Sequence, residues 1–113
     1  MNFEEYGAKA LTTLTSDHDY GDLTPELMAQ VLGLLGESGE VAEKVKKIIR
    51  DKQGQISELD KQEIVKELGD ILWYINSVAN LLDSDLNEVA TKNLDKVLDR
   101  KKRHQIKGGG DNR

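Results

Sequence analysis

The chain has 113 residues, room for one domain, with 37% hydrophobic and 33% charged residues and a net charge of -5. It contains no cysteine, which excludes disulfides, thiolate metal sites and a cysteine nucleophile. No stretch approaches the roughly 20 apolar residues that span a bilayer, the start Met1-Asn2-Phe3-Glu4-Glu5-Tyr6 is acidic where a signal peptide is basic, and the negative charge argues against wholesale nucleic-acid binding.

The first predicted helix runs from about Phe3 to Thr15, capped by Asn2, with Phe3, Tyr6, Ala10 and Leu14 as its apolar stripe. Residues Ser16 to Thr24 are polar and read as a loop. Thr24 as cap, Pro25 at the first helical position and Glu26 at the positive dipole end start the second helix, which runs to about Arg50. Leu27, Val31, Leu34, Val41, Val45 and Ile48 repeat along it at helical spacing. Gly33, Gly36 and Gly39 inside it each cost up to about 1 kcal/mol relative to alanine, which points to close approach of a helix or a ligand. Asp51 to Leu59 reads as a turn, and the third helix as about Asp60 to Leu82, with Ile64, Leu68, Ile71, Ile75, Val78 and Leu82 as its stripe. The fourth starts at Asp85 and runs to about Lys102, and the tail from about 104 to 113 is flexible by composition. These elements predict a single domain over residues 1–113, an all-α, compact four-helix bundle of antiparallel helices completed by oligomerisation. We expect it in the cytoplasm, with no membrane or nucleic-acid polymer among its partners.

The sign of charge changes along the chain. Glu26 to Glu43 holds four acids and no base, whereas Lys92 to Arg103 is strongly basic. Acidic clusters attract metal ions and basic stripes attract phosphate, although each pattern also describes a solvated helix face. Two carboxylate pairs, Glu37 with Glu40 and Glu67 with Asp70, have i, i+3 spacing, so each pair lies on one side of its helix. At about 100° per residue, Glu37 and Glu40 lie roughly 100° and 160° from the apolar stripe, and Glu67 and Asp70 roughly 80° and 140° to the same-handed side. Stripe-to-stripe packing of an antiparallel hairpin brings same-handed flanks together, so the pairs converge, with Glu63 and Tyr74 on the same flank. Magnesium, a hard cation taking oxygen ligands, suits such a site. On the fourth helix, Asn93, Lys96 and Arg100 share a polar face suited to phosphate, sugar or base, or to pairing with neighbouring acids. Trp73 either stacks on a base or serves as core or subunit interface. His18 and His104 are isolated and expected to be exposed, and there is no Ser-His-Asp signature.

The segments Gly33-Leu34-Leu35-Gly36-Glu37-Ser38-Gly39-Glu40-Val41-Ala42-Glu43, Lys66 to Tyr74 and Asn93 to Arg100 together resemble the MazG-like all-α nucleoside triphosphate pyrophosphohydrolases, whose mark is E-x-x-E followed by E-x-x-D. The ending Gly109-Gly110-Asp111-Asn112-Arg113 is similar to the tail of short, single-domain members. The resemblance implies a magnesium-dependent hydrolase (manganese being the alternative ion) that splits nucleoside triphosphates into monophosphate and pyrophosphate. It implies Glu37, Glu40, Glu67 and Asp70 as metal ligands, with Glu37 or Glu40 taking the proton of the attacking water. Asn93, Lys96 and Arg100 match positions that contact nucleotide or phosphate, and Trp73 is an added candidate. The family assembles its sites in homodimers, often paired into homotetramers. The competing reading is a non-enzymatic, oligomeric helical interaction module. A di-iron bundle ranks below both, because no His follows either acidic pair at Glu-x-x-His spacing.

Overall fold

The computed structural model describes residues 1–104 and 108–111, and every element among them is helical. Helix α1 spans Phe3–Leu11, α2 Pro25–Lys52, α3 Glu58–Leu81 and α4 Leu86–Lys102. Each starts on a side-chain cap. Asn2 Oδ1 accepts from the Glu5 amide at 2.9 Å, Thr24 Oγ1 from Leu27 at 3.1 Å, and Asp85 Oδ1 from Glu88 at 2.8 Å. These bonds satisfy amide donors that the first helical turn leaves unpaired.

Two boundaries differ from the sequence expectation for identifiable reasons. α1 stops at Leu11, short of Thr15, because the Thr12 and Thr13 hydroxyls donate back to the Lys9 and Ala10 carbonyls at 2.7 Å each. Such local bonds offer the backbone an alternative to further helix. α3 starts at Glu58 because Ser57 and Asp60 form a reciprocal capping box, with both bonds at 3.0 Å. The box uses Asp where Glu is the usual partner.

α2 and α3 form a long antiparallel hairpin. Its pairings run from Lys52–Asp60 beside the turn, through Lys44–Glu67, to the Tyr74 ring against Gly33. The turn closes with Gln53 and Gly54 at positive φ, and the Gly54 amide donates to the Ile48 carbonyl at 3.1 Å. A side chain at Gly33 would collide with the Tyr74 ring, so the ring is what that glycine admits. Among the described residues no other side chain or helix lies within 4 Å of a methyl added at Gly36 or Gly39.

The compact four-helix bundle is not what one chain forms. α4 packs sparsely on α3, and α1 packs on no other helix. The radius of gyration is 19.9 Å, against about 13 Å for a compact domain of this length. Among the described residues, Leu27, Ile48 and Ala79 alone are buried apolar residues, while Val31, Val45 and Leu68 of the predicted stripes stay exposed. The stripes exist at the expected spacing, but a two-helix hairpin covers only part of each. Among the described residues no helix is long and apolar enough to cross a membrane. The tail expected to be flexible falls partly on 105–107 and 112–113, outside the described residues.

Candidate metal centre and its surroundings

The expected convergence of helix flanks places Glu37 of α2 beside Glu67 and Asp70 of α3. One carboxylate oxygen from each lies within 4.8 Å of the other two. Glu37 and Glu67 are half-buried and Asp70 is exposed. The Glu37 carboxyl is held above its ordinary value, first by removal from water, then by a hydrogen bond with Glu67 and the charges of Asp70, Glu67 and Glu40. These are hard oxygen donors from two rigid helices, crowded enough that the Glu37 carboxyl resists ionisation. That donor set fits a magnesium-sized cation, which would relieve the crowding.

Glu40 stands apart from the three. Its charge reaches Glu37, but its carboxylate is exposed and outside the cluster. Its angle of roughly 160° from the stripe, nearly opposite the α3 contact, accounts for this. Glu63 lies on the same flank, as expected, and is shared between Lys44 at 4.0 Å and Lys66 at 3.7 Å.

Lys44 is the residue the sequence reading passes over. Its ammonium lies 3.8 Å from Glu67 Oε1 and 4.0 Å from Glu63 Oε2, half-buried between the helices. It follows Glu37 by seven residues, two helical turns along the same face, so that spacing was the available signal.

The basic face of α4 has its own occupant. Arg100 is only 5% exposed. Its Nη2 donates to the backbone carbonyl of Asp111 and lies 3.6 Å from that residue's carboxylate, while Lys96 Nζ donates to the same carboxylate at 3.2 Å. The pairing holds the Asp111 carboxyl below its ordinary value, Lys96 contributing most. Arg100 Nε is buried without a partner among the described residues. Asn93 is exposed, and among the described residues no hydrogen bond or ion pair joins Asn93, Lys96 or Arg100 to the acidic cluster. Trp73 is 60% exposed and packs edge-to-face on Tyr74, with ring centroids 5.1 Å apart at 86°. His18 and His104 are exposed, as expected.

Comparison with known proteins bears on the whole arrangement. The family model for the MazG nucleotide pyrophosphohydrolase domain matches residues 24–104. The chain belongs to the MazG family. The match opens on Thr24, the cap of α2, and ends just beyond α4, so every acidic and basic candidate above lies inside the MazG domain and α1 lies outside it. A curated relative, "Gene 37 protein" of Mycobacterium phage L5, is 50% identical over 82 residues, covering 73% of this chain and 72% of that protein. No solved structure matches the chain significantly.

Proposed function

We propose that this MazG domain is a magnesium-dependent pyrophosphohydrolase that cleaves ribo- or deoxyribonucleoside triphosphates between the α- and β-phosphates, giving the monophosphate and pyrophosphate. The observation that carries the proposal is the Glu37–Glu67–Asp70 cluster, built by two antiparallel helices of a MazG domain. Glu37, Glu67 and Asp70, with Glu40 after a rotamer change, hold the ion. Bound magnesium supplies neutralisation of phosphate charge and a more acidic water. Glu37 or Glu40 also accepts the proton of the attacking water. Lys96 and Arg100 take the phosphate oxygens in place of Asp111, which occupies them in the free chain, and Asn93 takes the sugar.

The accessible surface supports a homo-oligomer. One chain exposes 9480 Å², whereas a compact monomer of 12.6 kDa exposes about 6200 Å². An excess of about 3000 Å² per chain, about 6000 Å² for a pair, reaches the upper end of obligate dimer interfaces. An entirely apolar groove that includes Leu27, Met28, Val31, Val78 and Leu82 lies open on the hairpin for it. A second copy also provides the helices needed to close a pocket over the acidic cluster. The competing reading, a binding module without catalysis, explains the apolar face but not three carboxylates from two helices brought within 4.8 Å of one another.

The test is pyrophosphate release from the common triphosphates, with and without magnesium, for wild type, Glu40→Gln and Asp70→Asn. Magnesium-dependent release, lost in folded variants, supports the proposal. Full turnover in both variants refutes it.

A further inference from the structure

The hairpin carries a second, polar cleft of about 320 Å³ on the flank that holds the acidic cluster, and no role has yet been given to it. Glu26 and Gln30 line it from α2, and Trp73, Asn76, Ser77 and Asn80 from α3. Gln30 precedes Glu37 by seven residues and Ser77 follows Asp70 by seven. In an antiparallel hairpin both steps lead the same way, two turns or about 10 Å along one face. That is the span from the phosphates of an extended nucleotide to its base.

The polar accounting in the cleft is incomplete. Gln30 Oε1 is buried with no hydrogen-bond partner among the described residues. Asn80 Nδ2 donates to the Asn76 carbonyl at 2.8 Å and to Asn76 Oδ1 at 3.2 Å. These bonds spend the Asn80 donor and leave the Asn76 amide nitrogen and the Asn80 side-chain oxygen unengaged among the described residues. A buried amide oxygen without a donor is costly, and such atoms in folded proteins commonly face a ligand or water. The free groups are amides, which offer donor and acceptor side by side and match the hydrogen-bonding edge of a nucleobase. Trp73 stands beside them, propped edge-on by Tyr74 and exposed on its remaining surface.

We propose that this cleft binds the nucleobase, with Trp73 stacking on the ring and Gln30, together with Asn76, reading its polar edge. Gln30 is thus a specificity-determining residue. The inference deepens the pyrophosphohydrolase reading and rests on it for the choice of ligand. It separates base recognition, at the end of the hairpin far from the turn, from phosphate chemistry at the acidic cluster.

Trp73 is the sole tryptophan, so its fluorescence reports the cleft directly. The probes are free nucleosides, which carry no phosphate, titrated into the full chain with EDTA present. At least one common nucleoside is expected to quench Trp73 saturably. Gln30→Leu should weaken that nucleoside roughly tenfold or more, since a base edge then faces an apolar group. Gln30→Glu, nearly the same in shape, should reorder the nucleosides, which a merely structural Gln30 would not do. Absence of saturable quenching by every nucleoside overturns the proposal, as does equal affinity in wild type, Gln30→Leu and Gln30→Glu. Failure of the hydrolytic reading shows separately, as nucleoside binding without triphosphate turnover.

Discussion

Replacing Gly33 by alanine sets two effects of opposite sign against each other. Inside a helix, Gly→Ala is worth up to about 1 kcal/mol of stabilisation. At Gly33 the new methyl would lie within the envelope of the Tyr74 ring, overlapping three of its carbons. Overpacking of that kind costs about 1–3 kcal/mol, and overlap with a ring wedged between helices belongs at the upper end. The net expectation is a loss of about 1–2 kcal/mol. Gly36→Ala is the control, because its methyl meets nothing within 4 Å and should stabilise by about 0.5–1 kcal/mol. Urea unfolding at one fixed protein concentration reads both. In a Tyr74→Ala background Gly33→Ala should turn stabilising, with a coupling of about 1–3 kcal/mol. If Gly33→Ala stabilises wild type as much as Gly36→Ala does, Tyr74 does not pack where the hairpin places it.

The remaining expectations concern the acids, the caps and assembly. Glu37→Gln should abolish magnesium-dependent pyrophosphate release while raising the melting temperature without metal, because it relieves crowded charge; a lowered melting temperature contradicts the crowding. Glu37 has a raised folded value, so its contribution favours the fold below its ordinary 4.5 and is lost as pH rises through the folded value. Magnesium affinity, followed by calorimetry, should therefore fall with decreasing pH earlier than for an ordinary glutamate. Asp60 behaves oppositely. Held down to about 2 by Lys52 and then by Ser57, it contributes fully above its ordinary 3.8 and loses that contribution as pH falls through about 2. Asp60→Asn should flatten that part of the acid unfolding curve. Ser57→Ala should cost about 1 kcal/mol in urea unfolding. The melting temperature should rise with protein concentration if the exposed stripes close by self-association, and a flat dependence would argue for a monomer.

The helices were legible because their signals are local. Thr24-Pro25-Glu26 starts α2 where the sequence places it, and the angular argument puts Glu37, Glu67 and Asp70 together. The same argument expected Glu40 to converge with them, but at roughly 160° from the stripe it lies nearly opposite the contact face and outside the cluster. Ser57 was passed over because its partner is Asp60 in place of a glutamate, and α1 was drawn too long because Leu14 fits the apolar period while the threonine back-bonds break the helix. Helical period shows that a stripe must be covered but carries no information on what covers it. The compact bundle therefore did not follow for one chain. Least legible was Asp111, since a glycine-rich segment carries no period, and its pairing with Lys96 and Arg100 joins residues 11 to 15 positions apart.

That pairing bears on how the protein is handled. Arg100 is a nearly buried guanidinium whose described acceptors are the carbonyl and carboxylate of Asp111. Trimming the glycine-rich end, as is common practice before crystallisation, would strip a buried cation of its counter-charge and leave more of its N–H groups without acceptors. The opposite end tolerates far more, because α1 packs on no other helix. Purification tags, fluorophores and surface tethers belong there, ahead of Asn2.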